Sequence, residues 1–267
     1  MKIFRKDRIQ FLKNNRLSKY LLYATGEILL IVIGILIALA LNNWNQKRMI
    51  KEKEHFYLQG LNEEFLRSKL KLQNLMKVNK LNYENSRKLA AKIKTASGKT
   101  DEEQLSALLY NSFSFEIAYN PNNSLLNELI NSGGLEDISN PELRRYLTNW
   151  ESMIQSIHRQ ENSLRLQREN IVALFRSNSG SIKTIFDHTG ISSEMGIAED
   201  QIHSSNMNIL RSREFENNLL IFVLTGIVTE NAHYNPLMQE IDVILDLINN
   251  ELEMHAGSSS LSFARPR

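Results

Sequence analysis

The sequence contains one pair of side chains with the spacing of metal ligands. Glu230 and His233 are three residues apart, so an α-helix would place both on one face, as in the Glu-x-x-His motifs of di-iron helical bundles. Such a centre needs two motifs of this kind and two further glutamates, and one pair supplies too few ligands. We therefore expect a surface or helix-capping role for His233, and we predict neither a metal site nor a cofactor.

A second polar cluster lies in residues 177–206, which are rich in glycine, serine and aspartate. This composition predicts a long excursion with little regular structure, and such loops often carry function or are mobile. The adjacent pair Asp187-His188 is interpreted as its most polar cluster. One functional hypothesis is therefore a metal-binding or hydrolytic enzyme that uses the 177–206 excursion near Glu230 and His233.

The remaining composition gives little support to that enzyme hypothesis. The chain has no cysteine, which excludes disulfides, thiolate metal sites and cysteine nucleophiles. Its six histidines show no triad spacing, and no phosphate-binding glycine loop, nucleophile elbow or zinc-protease helix is present. The sequence leaves enzymatic activity undecided and favours a protein without it. A net charge of +2 argues against binding nucleic acid.

The strongest pattern in the sequence is an apolar segment at residues 21–41. As an α-helix it would span about 31 Å, roughly the hydrocarbon thickness of a bilayer. Tyr20 and Tyr23 lie near one end and Trp44 near the other, and aromatic rings prefer the membrane interface. The segment predicts a single transmembrane helix.

Basic residues predict the orientation of this helix. Seven of them lie in the first twenty positions, against four shortly after the segment (Lys47, Arg48, Lys51 and Lys53). The positive-inside rule makes residues 1–20 a cytoplasmic leader and exports the rest, as in a periplasmic domain anchored in a bacterial inner membrane. Ala38-Leu39-Ala40 also resembles a signal-peptidase site. We favour a retained signal anchor over a cleaved signal peptide, because nothing breaks the helix before the alanines.

Glu27 is the one charged residue within this segment. A charged carboxylate there costs about 2 kcal/mol or more unless it is paired, or snorkels to the headgroups. Gly34 and Ala38 form a small-xxx-small pair, and Glu27 shares their helix face because it lies seven residues before Gly34. We predict a helix-packing surface at Glu27, Gly34 and Ala38, with the bilayer and either another copy or a membrane protein as partners.

Three stretches of the sequence resemble a bacterial family of uncharacterised single-pass membrane proteins. They are "YLLYATGEILLIVIGILIALALNNWN" with its basic leader, "YNPNNSLLNELINSGGLEDISNPELRRYLTNW" and "YNPLMQEIDVILDLINNEL". The resemblance implies an N-terminal signal anchor followed by an exported helical domain. It implies no activity, ligand or catalytic residue.

The exported part, residues 42–255, is predicted to be all-α. The transmembrane helix should continue as a stalk to about residue 95, with heptad-spaced leucines and phenylalanine interrupted by Ser68, and then lead into an antiparallel bundle. A capping box at residues 100–103 predicts a helix to about Tyr119, and Ser124 is expected to cap a short helix closed by Gly133. Residues 256–267 are predicted to be a disordered tail.

Three further helices follow from apolar spacing. One begins at Asn140-Pro141 and has a seam of Leu143, Leu147, Trp150, Ile154, Ile157, Leu164, Ile171 and Phe175. Glu161 and Arg168 occupy two seam positions, which favours a registry device or a solvated edge over a ligand site. Residues 215–228 predict a buried core helix. After a kink or break at Pro236, the last helix has Leu237, Ile241, Ile244, Leu245 and Ile248 on one face.

These patterns predict a membrane-anchored, extracytoplasmic helical domain. Without catalytic signatures, its expected role is that of a binding, scaffolding or sensor-like interaction module.

Overall fold

A computed structural model describes the backbone of residues 15–94, 101–177 and 180–262, and the side chains of residues 24–93, 101–177 and 180–254. The described residues contain helices and no strand, which confirms the predicted all-α class. The α-helices are α1 (Asn15–Lys94), α2 (Glu102–Phe113), α3 (Ser124–Asn131), α4 (Pro141–Arg176), α5 (Ile182–His188), α6 (Ile191–Glu194), α7 (Arg213–Val228) and α8 (Asn235–Ser262). Two 3₁₀ turns, Gly134–Asp137 and Met207–Arg211, and a π-helix, Thr229–Tyr234, complete the list.

The chain divides into two compact units, residues 1–55 and 56–267. In its described part the first unit is a single helical segment, the N-terminal part of α1. Every side chain from residue 25 to residue 53 is exposed, including the continuous apolar run 28–41. Burial of one leucine or isoleucine side chain contributes about 1.5–3 kcal/mol, and this run leaves that stabilisation unused at every such position. Soluble proteins rarely expose a continuous apolar surface of this size to water.

The second unit is a bundle of three long helical segments. They are the C-terminal part of α1, helix α4, and the continuous series of α7, the π-helix and α8. The α8 helix runs antiparallel to α1, since Asn62 hydrogen-bonds Asn249 at 2.7 Å and Lys69 pairs with Asp242 at 2.6 Å. It also runs antiparallel to α4, because Asn140 bonds Glu251 at 2.8 Å.

The core lies where these three segments meet, and the predicted apolar faces supply it. All eight seam residues predicted for α4 are buried, and so are the five predicted for α8. Phe65 of α1 packs edge-on against Trp150 of α4, with ring centroids 4.8 Å apart and an interplanar angle of 70°. The periodicity of apolar residues therefore predicts which helix faces are buried.

The α2 helix ends earlier than the sequence predicts. It stops at Phe113, rather than near Tyr119, and residues 115–120 run as a loop that buries Ile117 and Tyr119. Side chains of the neighbouring long helices donate hydrogen bonds to backbone carbonyls at the end of α2 and the start of this loop. Arg168 donates to the Phe113 carbonyl at 2.6 Å, and Asn82 donates to the Phe115 carbonyl at 3.0 Å. These contacts replace the helical hydrogen bonds that the loop gives up.

The α3 helix is capped by a different residue from the one predicted. Its N-cap position is Asn123, not Ser124, and the Asn123 side chain makes no capping hydrogen bond. Instead, the Glu64 carboxylate of α1 accepts hydrogen bonds from the backbone N–H groups of Leu125 at 2.7 Å and Leu126 at 3.2 Å. A carboxylate at a helix N-terminus satisfies orphan donors and complements the helix dipole. Glu64 thus docks α3 onto α1.

We expect Glu64→Ala to lower the free energy of unfolding of the bundle by about 1–2 kcal/mol, because two charge-assisted capping bonds are lost. Glu63→Ala is the matched control. Glu63 is exposed, and among the described residues its one ion pair is with Arg67 at the surface, so its removal should change stability by less than about 0.5 kcal/mol. Chemical denaturation of the full-length variants measures both, and equal effects would contradict the capping role.

Pro236 does not break the chain into two helices, because a π-helical turn absorbs it. In residues 229–234 the turn widens, and the Asn235 N–H donates to the Glu230 carbonyl, five residues back. Proline has no N–H, and in an α-helix its ring would clash with the carbonyl four residues earlier. The wider turn relieves this clash, so α7, the π-helix and α8 form one continuous series.

Three further expectations need correction. The α7 helix is buried on one face only, since Leu220, Ile221 and Leu224 are 47–62% exposed. The 177–206 excursion contains regular structure, namely α5 and α6. The α8 helix continues to Ser262, into the predicted disordered tail, whose last residues, 263–267, lie outside the described residues.

Candidate functional site

The predicted helix-packing residues lie on the first unit. Glu27, Gly34 and Ala38 are all exposed, and a Cβ atom added at Gly34 would meet no atom within 4 Å. The backbone is helical throughout, so their spacing of seven and four residues places them on one face. The shared face is therefore present, while packing against another helix stays a prediction.

The helix that carries this face is the one described helix that is long and apolar enough to cross a membrane. Its most apolar stretch has a mean hydropathy of 2.6, and none of that stretch is buried. Length and composition alone thus allow a membrane span here.

The Glu230–His233 pair lies in the π-helix, so its three-residue spacing does not have α-helical geometry. Glu230 accepts a hydrogen bond from Tyr83 of α1, and burial together with this carboxylate raises the pKa of Tyr83 to about 12. His233 is half-buried. Among the side chains that the structure describes, no group of three or more His, Cys, Asp or Glu residues is placed to hold a metal ion.

The excursion is organised around the Asp187 carboxylate, whose side chain is 1% exposed. It accepts hydrogen bonds from Lys183, Ser192 and the backbone N–H of Asp200. The Nε2 atom of His203 lies 3.2 Å from the Oδ2 atom of Asp187. Burial alone would raise the pKa of Asp187, but these hydrogen bonds outweigh it and hold the pKa well below its usual value. This saturated carboxylate holds the loop together and is not a free acid or base.

The enzyme hypothesis combines the 177–206 excursion with Glu230 and His233, and these two groups of residues pack against different helices. The α5 helix of the excursion packs on α2 and α6, whereas the π-helix packs on α4, α7 and α8. Asp187 and His188 therefore belong to the α2 side of the bundle. Glu230 belongs to the contact with Tyr83 on α1.

Asn206 closes the excursion at its base. Its buried side chain accepts from the Ser181 N–H at 2.7 Å and donates to the Ser181 carbonyl at 2.9 Å. Its own N–H donates to Glu102 of α2 at 2.8 Å. These bonds join the two ends of the excursion to each other and to α2.

We expect Asn206→Ala to lower the free energy for local opening of the excursion by about 2 kcal/mol, because both Ser181 backbone groups lose their partner. Amide hydrogen exchange at residues 181–194 measures this opening. Asn208→Ala is the control, since Asn208 is exposed and should leave exchange unchanged. Unaltered exchange in the Asn206 variant would show that the excursion is held by other contacts.

A groove of about 340 Å³ lies between the excursion and the bundle, and we call it the α2–α4–α5 groove. The α2 helix lines it with Leu109 and Phe113, α4 with Val172 and Phe175, and α5 with Ile185 and Phe186. Binding sites for small molecules are typically concave, mostly apolar and about 300–1,000 Å³ in volume. A depression of about 490 Å³ on α4 has a more polar lining, including Arg145, Arg159 and Glu240. The α2–α4–α5 groove fits a ligand site better.

Arg168, one of the two polar seam residues of α4, lies at this groove. Its side chain is 19% exposed, with Nε donating to the Phe113 carbonyl and Nη1 donating to Glu169 at 2.7 Å. Glu169 also accepts from Arg176 at 3.0 Å, so one carboxylate serves two guanidinium groups. The sequence identified Arg168 as exceptional but gave no sign of the groove, whose walls come from distant segments.

Glu161, the other polar seam residue, forms a buried network at the π-helix. Its Oε1 atom accepts from the Tyr119 backbone N–H at 2.9 Å and from the Tyr234 hydroxyl at 2.6 Å. Burial raises the pKa of Glu161, although these hydrogen bonds and the charge of His158 oppose the shift. Burial and the nearby carboxylate raise the pKa of Tyr234 far above its usual value, so the hydroxyl remains a donor. A solvated edge is therefore the wrong description of Glu161.

Comparison with known proteins places the chain in a family. Residues 27–160 match a family of unknown function, DUF6090, and this match covers half of the chain. The chain therefore belongs to that family, in agreement with the resemblance to uncharacterised proteins. No curated protein and no solved structure matches it.

Proposed function

We propose that this member of the DUF6090 family is a single-pass membrane protein whose helical bundle acts as a binding, scaffolding or sensor-like interaction module. The observation that carries the proposal is the exposed apolar run 28–41 of the first unit. The core cluster of buried residues consists of side chains from the second unit, and the run contributes none of them. A bilayer is the environment in which such a run is stable.

The proposal includes a bacterial inner-membrane location with the N-terminus in the cytoplasm. Its support is the excess of basic residues before the apolar segment, under the positive-inside rule. The bundle then lies in the periplasm, and the face formed by Glu27, Gly34 and Ala38 lies within the membrane. That face is the proposed contact for another copy or for a membrane protein.

Membrane anchoring is tested by carbonate extraction of membranes from cells that express the full-length chain. We expect wild type to stay in the pellet. The double variant with Ile33→Arg and Leu36→Arg should appear in the soluble fraction, because each charge at mid-membrane costs about 2.5–3.5 kcal/mol. Leu66→Arg/Leu70→Arg is the matched control on exposed bundle positions of α1 and should stay in the pellet. Extraction of the wild type would overturn the proposal.

Orientation can be tested cleanly because the chain has no cysteine. A membrane-impermeant maleimide should label Ser163→Cys, which is exposed on α4, in intact spheroplasts. It should label Lys13→Cys only after the membrane is permeabilised. The reverse pattern would place the bundle in the cytoplasm.

A further inference from the structure

We propose that the α2–α4–α5 groove binds an amphipathic carboxylate, such as a fatty acid, with its apolar chain between the helices and its carboxylate on Arg168. The groove lies within residues 109–191 of the second unit. This inference therefore does not depend on membrane anchoring.

The lining of the groove determines the apolar part of the ligand. Leucine, isoleucine, valine and phenylalanine side chains form most of it, and four helices supply them, namely α2, α4, α5 and, through Ile191, α6. Several are only partly buried, including Val172, Ile182 and Phe186, so apolar surface is available for contact. An apolar chain laid against these side chains would remove that surface from water.

The single charged side chain among the groove residues determines the polar part. Of the five N–H donors of the Arg168 guanidinium, one binds the Phe113 carbonyl and one binds Glu169. Its Nη2 group has no hydrogen-bond partner among the described residues. A planar guanidinium at the rim of an apolar site matches a carboxylate in charge and in geometry.

The charges next to Arg168 leave the site positive. Glu169 is the acidic residue that pairs with Arg168, and it is shared with Arg176. Two positive charges thus face one negative charge, and the groove residues include no acid. Charge complementarity therefore favours an anionic head group over a cationic or neutral one.

Contacts within the chain hold the wall that the excursion forms. A Cβ atom at Gly180 would come within 2.7 Å of the Phe175 ring, so the chain passes directly against one side of the groove. Asn206 holds Ser181 next to this point through two hydrogen bonds. A preformed wall reduces the ordering that binding would require.

The test compares two photoreactive probes, dodecanoic acid with a terminal diazirine and the matching dodecanol. Each is irradiated with the full-length protein in lipid nanodiscs, and labelled peptides are mapped by mass spectrometry. We expect the acid to label groove peptides at least about tenfold more than the alcohol, because only the acid can form charge-assisted bonds with Arg168. Equal labelling by the two probes on wild type, or labelling only outside the groove, would overturn the proposal without any variant having to fold.

Two pairs of variants sharpen the result. Arg168→Gln should reduce labelling by the acid to that by the alcohol, whereas Arg165→Gln, one turn away and exposed, should not. Ile185→Trp fills the groove and should abolish labelling, whereas Leu166→Trp at an exposed position of α4 should leave it intact. Wild-type labelling of the filled variant would contradict the site.

Discussion

Trp150→Ala is expected to lower the free energy of unfolding of the bundle by about 3–5 kcal/mol. This loss is large, because the whole stability of an ordinary domain is about 5–15 kcal/mol. Trp150 is 1% exposed at the centre of the three long segments. Its ring packs edge-on against Phe65 of α1, a contact that adds to the effect of burial. Chemical denaturation of the full-length protein measures the change.

The chain contains a natural control for this experiment. Trp44, the only other tryptophan, is 63% exposed in the first unit, so Trp44→Ala should leave the unfolding of the bundle unchanged. Trp150→Phe should be intermediate, because it keeps a ring against Phe65 and removes an indole N–H that has no partner among the described residues. Equal unfolding midpoints for the Trp44 and Trp150 alanine variants would contradict the proposed core.

Glu161→Ala is expected to cost about 3 kcal/mol for a different reason. It leaves the Tyr119 N–H and the Tyr234 hydroxyl buried without an acceptor, and each unpaired group costs about 1–3 kcal/mol. Glu161→Gln keeps an oxygen for both donors and should cost much less. Similar losses in the two variants would show that side-chain volume, and not hydrogen bonding, determines the effect.

The pH dependence of stability gives a second measure of Glu161. Because burial raises the pKa of this carboxyl above its ordinary value of 4.5, the folded state holds the proton more tightly than the unfolded state. The resulting stabilisation is complete below the ordinary pKa and is lost as the pH rises through the raised one. Wild type should therefore lose stability relative to Glu161→Gln as the pH increases from 4.5. The free energy of unfolding of the exposed control Glu116→Gln should change with pH in the same way as that of wild type. A wild type that gains stability relative to Glu161→Gln as the pH rises would contradict a raised pKa.

Features that depend on local sequence were predictable. The apolar faces of α4 and α8 follow from residues repeating at three and four positions, and the structure buries them as expected. The start of α4 is equally local, because Asn140 accepts from the N–H groups of Glu142 and Leu143 and Pro141 occupies the first turn.

Features that depend on distant partners were not predictable. Arg168 and Asn82, on other helices, bind the carbonyls of Phe113 and Phe115 where α2 ends, and no signal within residues 101–120 reveals these partners. The cap of α3 comes from Glu64, about sixty residues earlier, as the Leu125 hydrogen bond shows.

The two candidate sites differ in the same way, since one depends on local sequence and the other on distant segments. The face of Glu27, Gly34 and Ala38 follows from helical spacing, so the sequence identifies it directly. The α2–α4–α5 groove is made by segments that meet only in the folded chain. The sequence marks its charged residue, Arg168, as a break in an apolar seam, but periodicity cannot show what lies opposite.

The most direct test of an interaction module in the membrane is site-specific photocrosslinking in native membranes. A photoreactive amino acid at Ile31 lies on the face of Glu27 and Gly34, while one at Leu36 lies about opposite, at roughly 100° per residue. We predict a defined adduct, with a second copy or a membrane protein, from Ile31 alone, and its loss in Glu27→Leu and Gly34→Leu. No defined adduct from Ile31, or the same adduct from both positions, would contradict a specific contact through this face.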